Sequence, residues 1–194
     1  MTSSVDIANS ALNNIGASNI NSLTEDSVAA RIMNQRYPFV RDAVFRAHPW
    51  NCLIKRVSIA ANSTGPAWGY SNAFTLPTDP FCLRVIQIES LDADYNVEGR
   101  SIASDESTMK IIYIGRVTDE NEYDSLLIEA IAARLAADCC YSITNSNVLV
   151  SSMWTLYQHK ISEARFVDAT EGMPGTSGVD EGVLQADTFI IARY

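Results

Sequence analysis

Histidine is scarce in this sequence, and its cysteines do not match a metal or redox motif. The 194 residues include two histidines and four cysteines. The cysteines are Cys52, Cys82, Cys139 and Cys140. None of them forms the spaced pair that is typical of zinc or thiol-exchange sites, and two adjacent cysteines are difficult to bridge. We therefore predict reduced thiols that pack as small apolar side chains, without a metal or cofactor.

Long apolar runs are also missing. No stretch approaches the roughly 20 apolar residues that a membrane-spanning helix needs. The opening residues, Met1 to Ser4, lack both a basic start and an apolar run, so they do not predict a secretory signal peptide. With 47% hydrophobic and 19% charged residues, the composition is typical of a soluble globular protein of one domain or two small ones.

Basic residues are outnumbered, and they are unevenly distributed. The chain has 14 Lys and Arg against 23 Asp and Glu, which gives a net charge of −9. Residues 1–56 contain six basic and four acidic side chains, whereas residues 57–194 contain eight and nineteen. A general nucleic-acid-binding protein normally carries a basic patch. The composition therefore argues against a general nucleic-acid-binding protein.

The stretch from Tyr37 to Arg56 divides the chain into a helical part and a sheet part. Apolar residues follow helical spacing up to His48 and two-residue spacing from Leu53. Pro49 ends the helix because proline lacks an N–H donor and disfavours helical geometry in the residue before it. We expect the His48 side chain to bond to backbone groups here. The predicted helix-to-sheet junction, with a structural role, comprises His48, Pro49, Trp50 and Asn51.

Two helices are predicted before this junction. The first spans about residues 4–15, and Ser3 can cap its start. The second is predicted to begin after the N-cap Thr24 and to continue to His48, with a kink or break at Pro38.

The second helix carries apolar residues on two opposite faces. A helix with two apolar faces must be covered on both. Either both faces lie in the core of one subunit, or one face contacts a neighbouring subunit. The first face contains Val28, Ile32, Phe39 and Ala43, and the second contains Met33, Tyr37, Val40 and Val44.

The middle of the chain has β patterning, and helical patterning returns after it. Five or six short antiparallel strands fit this region, with a hairpin around Val97–Ser101. Helical spacing resumes at Asp124, and a short link at residues 145–147 predicts an antiparallel pair of helices. The sequence thus predicts an α+β fold with a bundle of four main helices (residues 1–52 and 118–170), an inserted antiparallel β module (53–117) and an extended, flexible C-terminal arm (171–194).

The C-terminal arm combines a glycine-rich tether with an apolar, β-prone end. Such an end can add to the sheet edge of another chain or fill a groove on it. The alternative is a tail that folds back on its own domain. The residues proposed to dock on a partner are Leu184, Phe189, Ile190, Ile191, Arg193 and Tyr194.

Acidic residues in the β module suggest two kinds of site to consider, a calcium-binding loop and a hydrolase. Asp92, Asp94 and Asn96 begin like a calcium-binding loop, but Val97 stands where that loop requires glycine. We therefore predict no calcium site. The remaining enzymatic hypothesis is a cell-wall or polysaccharide hydrolase that uses carboxylates such as Asp92, Asp94 or Glu98.

Several short stretches occur together in a recognisable order. They are Ala11–Ala17, Arg41-Asp42 with Arg46–Asn51, Leu76–Asp79, Glu98–Arg100, and Tyr113-Ile114 with Val117–Asp119. Together they resemble the tail tubular protein A type of head-to-tail adaptor from short-tailed bacteriophages. The resemblance covers about residues 5–170, and the Arg-Ala-His-Pro-Trp-Asn stretch is its most specific part.

The resemblance implies a structural protein of the virion without catalytic activity. It implies a dodecameric ring, assembled in the host cytoplasm, that joins the phage portal protein to the tail nozzle protein at the head-to-tail interface. DNA would pass through the ring without specific binding, and no membrane is involved. A lumen rich in Lys and Arg would retain the phosphate backbone. We therefore predict a neutral to negative bore.

Overall fold

The computed structural model describes residues 2–90 and 93–171. Two helices precede six strands and two helices follow them, so the predicted α+β fold is confirmed. The helices are α1 (Ser4–Asn14), α2 (Val28–Ala47), α3 (Ser125–Thr144) and α4 (Asn147–Glu171). The strands are β1 (Ile54–Ala60), β2 (Asn72–Thr75), β3 (Cys82–Ile88), β4 (Tyr95–Glu98), β5 (Ser101–Ser104) and β6 (Thr108–Gly115).

The strands form two antiparallel sheets of three strands each, in the orders β1-β6-β3 and β2-β5-β4. The predicted hairpin joins β4 to β5 through Gly99 and Arg100. Gly99 has a φ of +59°, which lies in the left-handed region that favours glycine in two-residue hairpin turns. The two sheets share an apolar core that contains Phe74, Leu76, Cys82, Ile88, Ile102, Met109, Ile111 and Tyr113.

The alanine-rich helix α3 is central to the helical layer, because it packs against α1, α2 and α4. Alanine side chains let neighbouring helices approach closely. Asp124 caps the start of α3, where its Oδ1 accepts a hydrogen bond from the backbone N–H of Leu126 at 2.9 Å. The helix ends at Asn145, whose φ of 53° is left-handed, and α4 starts two residues later.

The predicted N-cap of α2 is wrong. Helix α2 is capped by Ser27, whose hydroxyl accepts from the backbone N–H of Ala30 at 3.1 Å. Thr24 instead lies in a turn, where its hydroxyl is 2.8 Å from that of Ser22. The turn removes Thr24 from the helix, so the helix begins later than its local sequence predicts.

Helix α2 runs through Pro38 as one continuous helix, so of the predicted kink or break, the break is wrong. A proline inside a helix leaves the carbonyl four residues earlier without its donor. That carbonyl belongs to Asn34, and both Asn34 and Pro38 are exposed. Water can therefore satisfy the carbonyl, and the helix continues.

The buried stripe of α4 differs in part from the one that helical spacing predicts, which is Val148, Met153, Leu156, Ile161, Ala164 and Val167. Val148 is 79% exposed, so its predicted burial is wrong. Met153, Ile161 and Ala164 are buried as expected. The spacing predicted Leu156 and Val167 in the same stripe, whereas the buried positions beside them are Tyr157 and Asp168.

Buried tyrosine and cysteine side chains make the fold sensitive to alkali. Burial raises the pKa of Tyr123 and that of Cys139 to about 12, and it also raises the pKa of Tyr37. In the unfolded chain these groups ionise near pH ~8.5 to 10. Their contribution to stability is therefore complete below pH ~8.5 and is lost as the pH rises towards ~12.

We expect the free energy of unfolding to fall between pH 8 and pH 10, with Cys139 alone contributing on the order of 1–2 kcal/mol. Urea unfolding at a series of pH values measures this. The variant Cys139→Ala should show a shallower decline than the natural chain. A free energy of unfolding that is constant from pH 8 to pH 10 would contradict the prediction.

Candidate functional site

The predicted junction residues lie between α2 and β1. His48 has extended backbone angles (φ −151°, ψ 151°), Pro49 follows it, and a 3-10 turn at Asn51–Leu53 leads into β1. The Trp50 side chain is fully buried, and its Nε1 donates to the Val44 carbonyl at 3.0 Å. The His48 and Trp50 rings meet edge to face with their centroids 4.8 Å apart. These contacts fix the direction in which the chain enters the sheet.

Asp168 on α4 is the main partner of this junction. Its Oδ2 lies 3.0 Å from His48 Nε2, and its Oδ1 accepts from the backbone N–H of Asn51 at 2.9 Å. The Asn51 side-chain amide donates to the Asp168 carbonyl at 2.7 Å. The expectation that His48 bonds to backbone groups is wrong, because its ring pairs with a carboxylate instead. Asp168 is only 6% exposed, so its carboxylate forms its hydrogen bonds with groups inside the protein.

These bonds anchor the end of α4 to the end of α2. Arg165, one turn before Asp168, donates from Nη2 to the Ala47 carbonyl at 3.0 Å. The described chain ends three residues after Asp168, at Glu171. Residues 172–194, which we call the C-terminal segment, therefore start beside the junction.

A His–Asp pair also occurs in hydrolytic triads, where a nucleophile is hydrogen-bonded to the histidine. Among residues 2–90 and 93–171, no serine or cysteine side chain is hydrogen-bonded to His48. Nor do three or more His, Cys, Asp or Glu side chains of this part lie together in a metal-binding arrangement. Asp92 of the hydrolase hypothesis falls outside the described residues, and Asp94 and Glu98 are exposed. The contacts at the junction therefore have a structural role: they hold the end of α4 against the end of α2 and the start of the sheet.

Helix α2 buries only one of its two apolar faces. Met33, Tyr37, Val40 and Val44 are buried. On the other face Ile32 is partly buried against the core, whereas Val28 is 61% exposed and Phe39 is 67% exposed, and Ala43 is exposed as well. The described part of the chain thus leaves most of this second face, which we call the outer face of α2, open to solvent. An apolar stripe that stays largely exposed along one helix face is a candidate interaction surface.

A groove with a volume of about 430 Å³ lies between the end of α2, β3 and the β4–β5 turn. Arg46, Arg84 and Arg100 line it, and we call it the arginine groove. The Arg100 guanidinium donates to the Cys82 carbonyl at 2.7 Å and lies 3.9 Å from the centroid of the Phe81 ring. These three side chains come from separate parts of the sequence, so no local motif predicts the groove.

The proposed partner-docking residues of the C-terminal segment lie outside the described residues. They are Leu184, Phe189, Ile190, Ile191, Arg193 and Tyr194. Within residues 2–90 and 93–171, every helix is too short or too polar to cross a lipid bilayer.

Comparison with protein-family models and with curated proteins identifies no relative of this chain. No protein-family model matches the sequence, and no curated protein matches it significantly. The functional proposal depends on the residues and geometry described above.

Proposed function

We propose that this protein is a structural head-to-tail adaptor of a short-tailed phage virion. Its subunits form a ring between the portal protein and the tail nozzle protein, and the ring continues the channel through which DNA leaves the head. The observation that carries this proposal is the outer face of α2. Val28 and Phe39 are exposed there, although the opposite face of the same helix is fully buried.

Ring formation explains why one helix has two apolar faces. In a closed ring each subunit contacts its neighbour through two different, complementary surfaces. The inner face of α2 packs in the subunit's own core, and the outer face is available for the next subunit. Burial of a Phe side chain on assembly contributes about 1.5–3 kcal/mol.

The net charge of the chain is compatible with a DNA conduit. It is −9, so a ring of these subunits carries a large net negative charge. A neutral or negative bore does not retain the phosphate backbone, and DNA can slide through it. A cryo-EM map that shows a lysine-lined bore would contradict this part of the proposal.

The decisive experiment is to measure the mass and symmetry of the protein alone and after mixing with its portal protein. Native mass spectrometry and cryo-EM should show a closed ring bound to the portal, and the family resemblance implies twelve subunits. A protein that stays monomeric and unbound in the presence of the portal would refute the proposal.

The variant Phe39→Lys tests the outer face of α2. Because Phe39 is 67% exposed, the free energy of unfolding should change by less than about 0.5 kcal/mol. Ring assembly should weaken at least roughly tenfold, because buried aromatic residues dominate interfaces. Analytical ultracentrifugation in the presence of the portal measures the assembly.

Asn34→Lys is the matched control, since Asn34 is an exposed residue of the same helix on a different face. This variant introduces the same charge and should assemble normally. If Phe39→Lys assembles as well as Asn34→Lys, the outer face of α2 does not form the ring interface.

A further inference from the structure

The arginine groove concentrates positive charge on an acidic protein. Arg46 is at the end of α2, Arg84 is on β3, and Arg100 is in the β4–β5 turn. Their hydrogen bonds go to backbone carbonyls: Arg46 donates to Leu83, Arg84 to Arg46 and Arg100 to Cys82. In residues 2–90 and 93–171 none of the three forms a salt bridge with a carboxylate. The groove therefore favours a negatively charged ligand.

The floor of the groove is apolar, which favours a peptide as that ligand. Its apolar lining residues are Leu76, Phe81, Cys82, Leu83, Val85 and Val97. The Phe81 ring lies within 4.4 Å of both the Arg100 and the Arg116 guanidinium groups, measured to its centroid. These guanidinium groups compete with a nucleic-acid base for stacking on the ring. An extended segment that carries both apolar and acidic side chains fits the apolar lining and the three arginines of the groove.

Residues 179–183 of this chain have that chemistry, with the sequence Val-Asp-Glu-Gly-Val. Asp180 and Glu181 supply two adjacent carboxylates, and a valine stands on either side of the acidic pair. Charge complementarity with the arginine groove therefore identifies a candidate occupant within the same protein.

The contacts at the junction also bring the start of the C-terminal segment close to the groove. Glu171 follows Asp168, which is bonded to His48, and Arg46 of the groove lies two residues before His48. Seven residues, 172–178, connect Glu171 to Val179 and can span up to roughly 23–25 Å. A short connection raises the effective concentration of a tethered segment to the millimolar range. Binding within one subunit is therefore favoured over binding between copies.

We propose that residues 179–183 bind in the arginine groove of their own subunit. This binding is independent of the proposed function, because the occupancy of the groove by residues 179–183 does not require a portal.

Amide hydrogen exchange of the full chain, without portal, tests the proposal. The amides of residues 179–183 should exchange at least roughly tenfold more slowly than in an unstructured peptide. Neutralising the segment with Asp180→Asn and Glu181→Gln should abolish this protection, and this change leaves the groove itself intact. Arg84→Gln should reduce the protection severalfold, because Arg84 is exposed and contributes one hydrogen bond to the fold.

Two controls accompany these variants. Arg56→Gln removes an exposed arginine of β1, outside the groove, and Asp187→Asn removes an acid outside the proposed occupant. Both should keep the natural protection. Exchange at the unstructured rate in the natural chain would overturn the proposal, as would full protection in the neutralised segment. Protection that depends on protein concentration would assign the occupant to a second copy and overturn binding within one subunit.

Discussion

Replacing Asp168 with alanine is expected to lower the free energy of unfolding by about 3 kcal/mol. The carboxylate accepts hydrogen bonds from the His48 ring and from the backbone N–H of Asn51. Its removal leaves both donors without a partner in a largely buried site, and each unsatisfied group costs about 1–3 kcal/mol. Urea unfolding followed by circular dichroism measures the change.

Two further variants separate this effect from a general effect on α4. Glu163→Ala removes an acid of the same helix whose side chain is 51% exposed, and it should cost less than about 0.5 kcal/mol. Asp168→Asn keeps one acceptor oxygen and should give an intermediate loss. If Asp168→Ala is no more harmful than Glu163→Ala, the junction does not stabilise the fold as described.

Ending the chain at Glu171 is expected to abolish portal binding and to leave a folded subunit. The four helices and both sheets lie within residues 2–90 and 93–171, and the core residues described there pack against one another. The truncated subunit should therefore stay folded, and its free energy of unfolding should fall by about 1–2 kcal/mol, which is the order expected for the loss of residues 179–183 from the arginine groove. Portal binding should be lost, because the truncation removes the proposed docking residues. Co-sedimentation with portal particles measures the binding.

The full-length variant with Phe189→Ser and Ile190→Ser is the companion to this truncation. It keeps the length and charge of the chain and removes two large apolar side chains from its end. We expect portal binding at least roughly a hundredfold weaker, as for the loss of two interface anchors. Normal assembly of the truncated protein on the portal would refute the role of the C-terminal segment.

The ends of helices and strands could be predicted where they are set by contacts between residues that are close in sequence. Ser3 and Asp6 form a capping box at α1, Asp124 caps α3, and Gly99 allows the β4–β5 turn. In each case the determining contact spans a few residues. The start of α2 was predicted wrongly because another local contact competes with the helix. The carboxylate of Glu25 accepts from the backbone N–H of Asn21 at 2.8 Å, and that turn competes with the helix.

The candidate site depends on contacts that local patterns do not contain. Asp168 lies 120 residues from His48 along the chain. Position 168 continues the buried stripe of Ile161 and Ala164, but an aspartate is rarely buried without a partner. Since the partner is remote in sequence, the burial of Asp168 could not be predicted. The arginine groove was missed because its side chains come from a helix end, a strand and a turn. Its sequence signal would have been the three arginines themselves, since they occur in a chain with few basic residues.

The junction has a mechanical consequence. A pulling force on the C-terminus enters the described part of the protein at Glu171 and reaches Asp168 within one helical turn. From there the bonds to His48 and Asn51 pass the load to the end of α2 and the start of β1. Tension is thus shared between the helical and β layers at one point. We therefore expect a subunit under tension at its C-terminus to unfold cooperatively, because α4 detaches only after its bonds to His48 and Asn51 break.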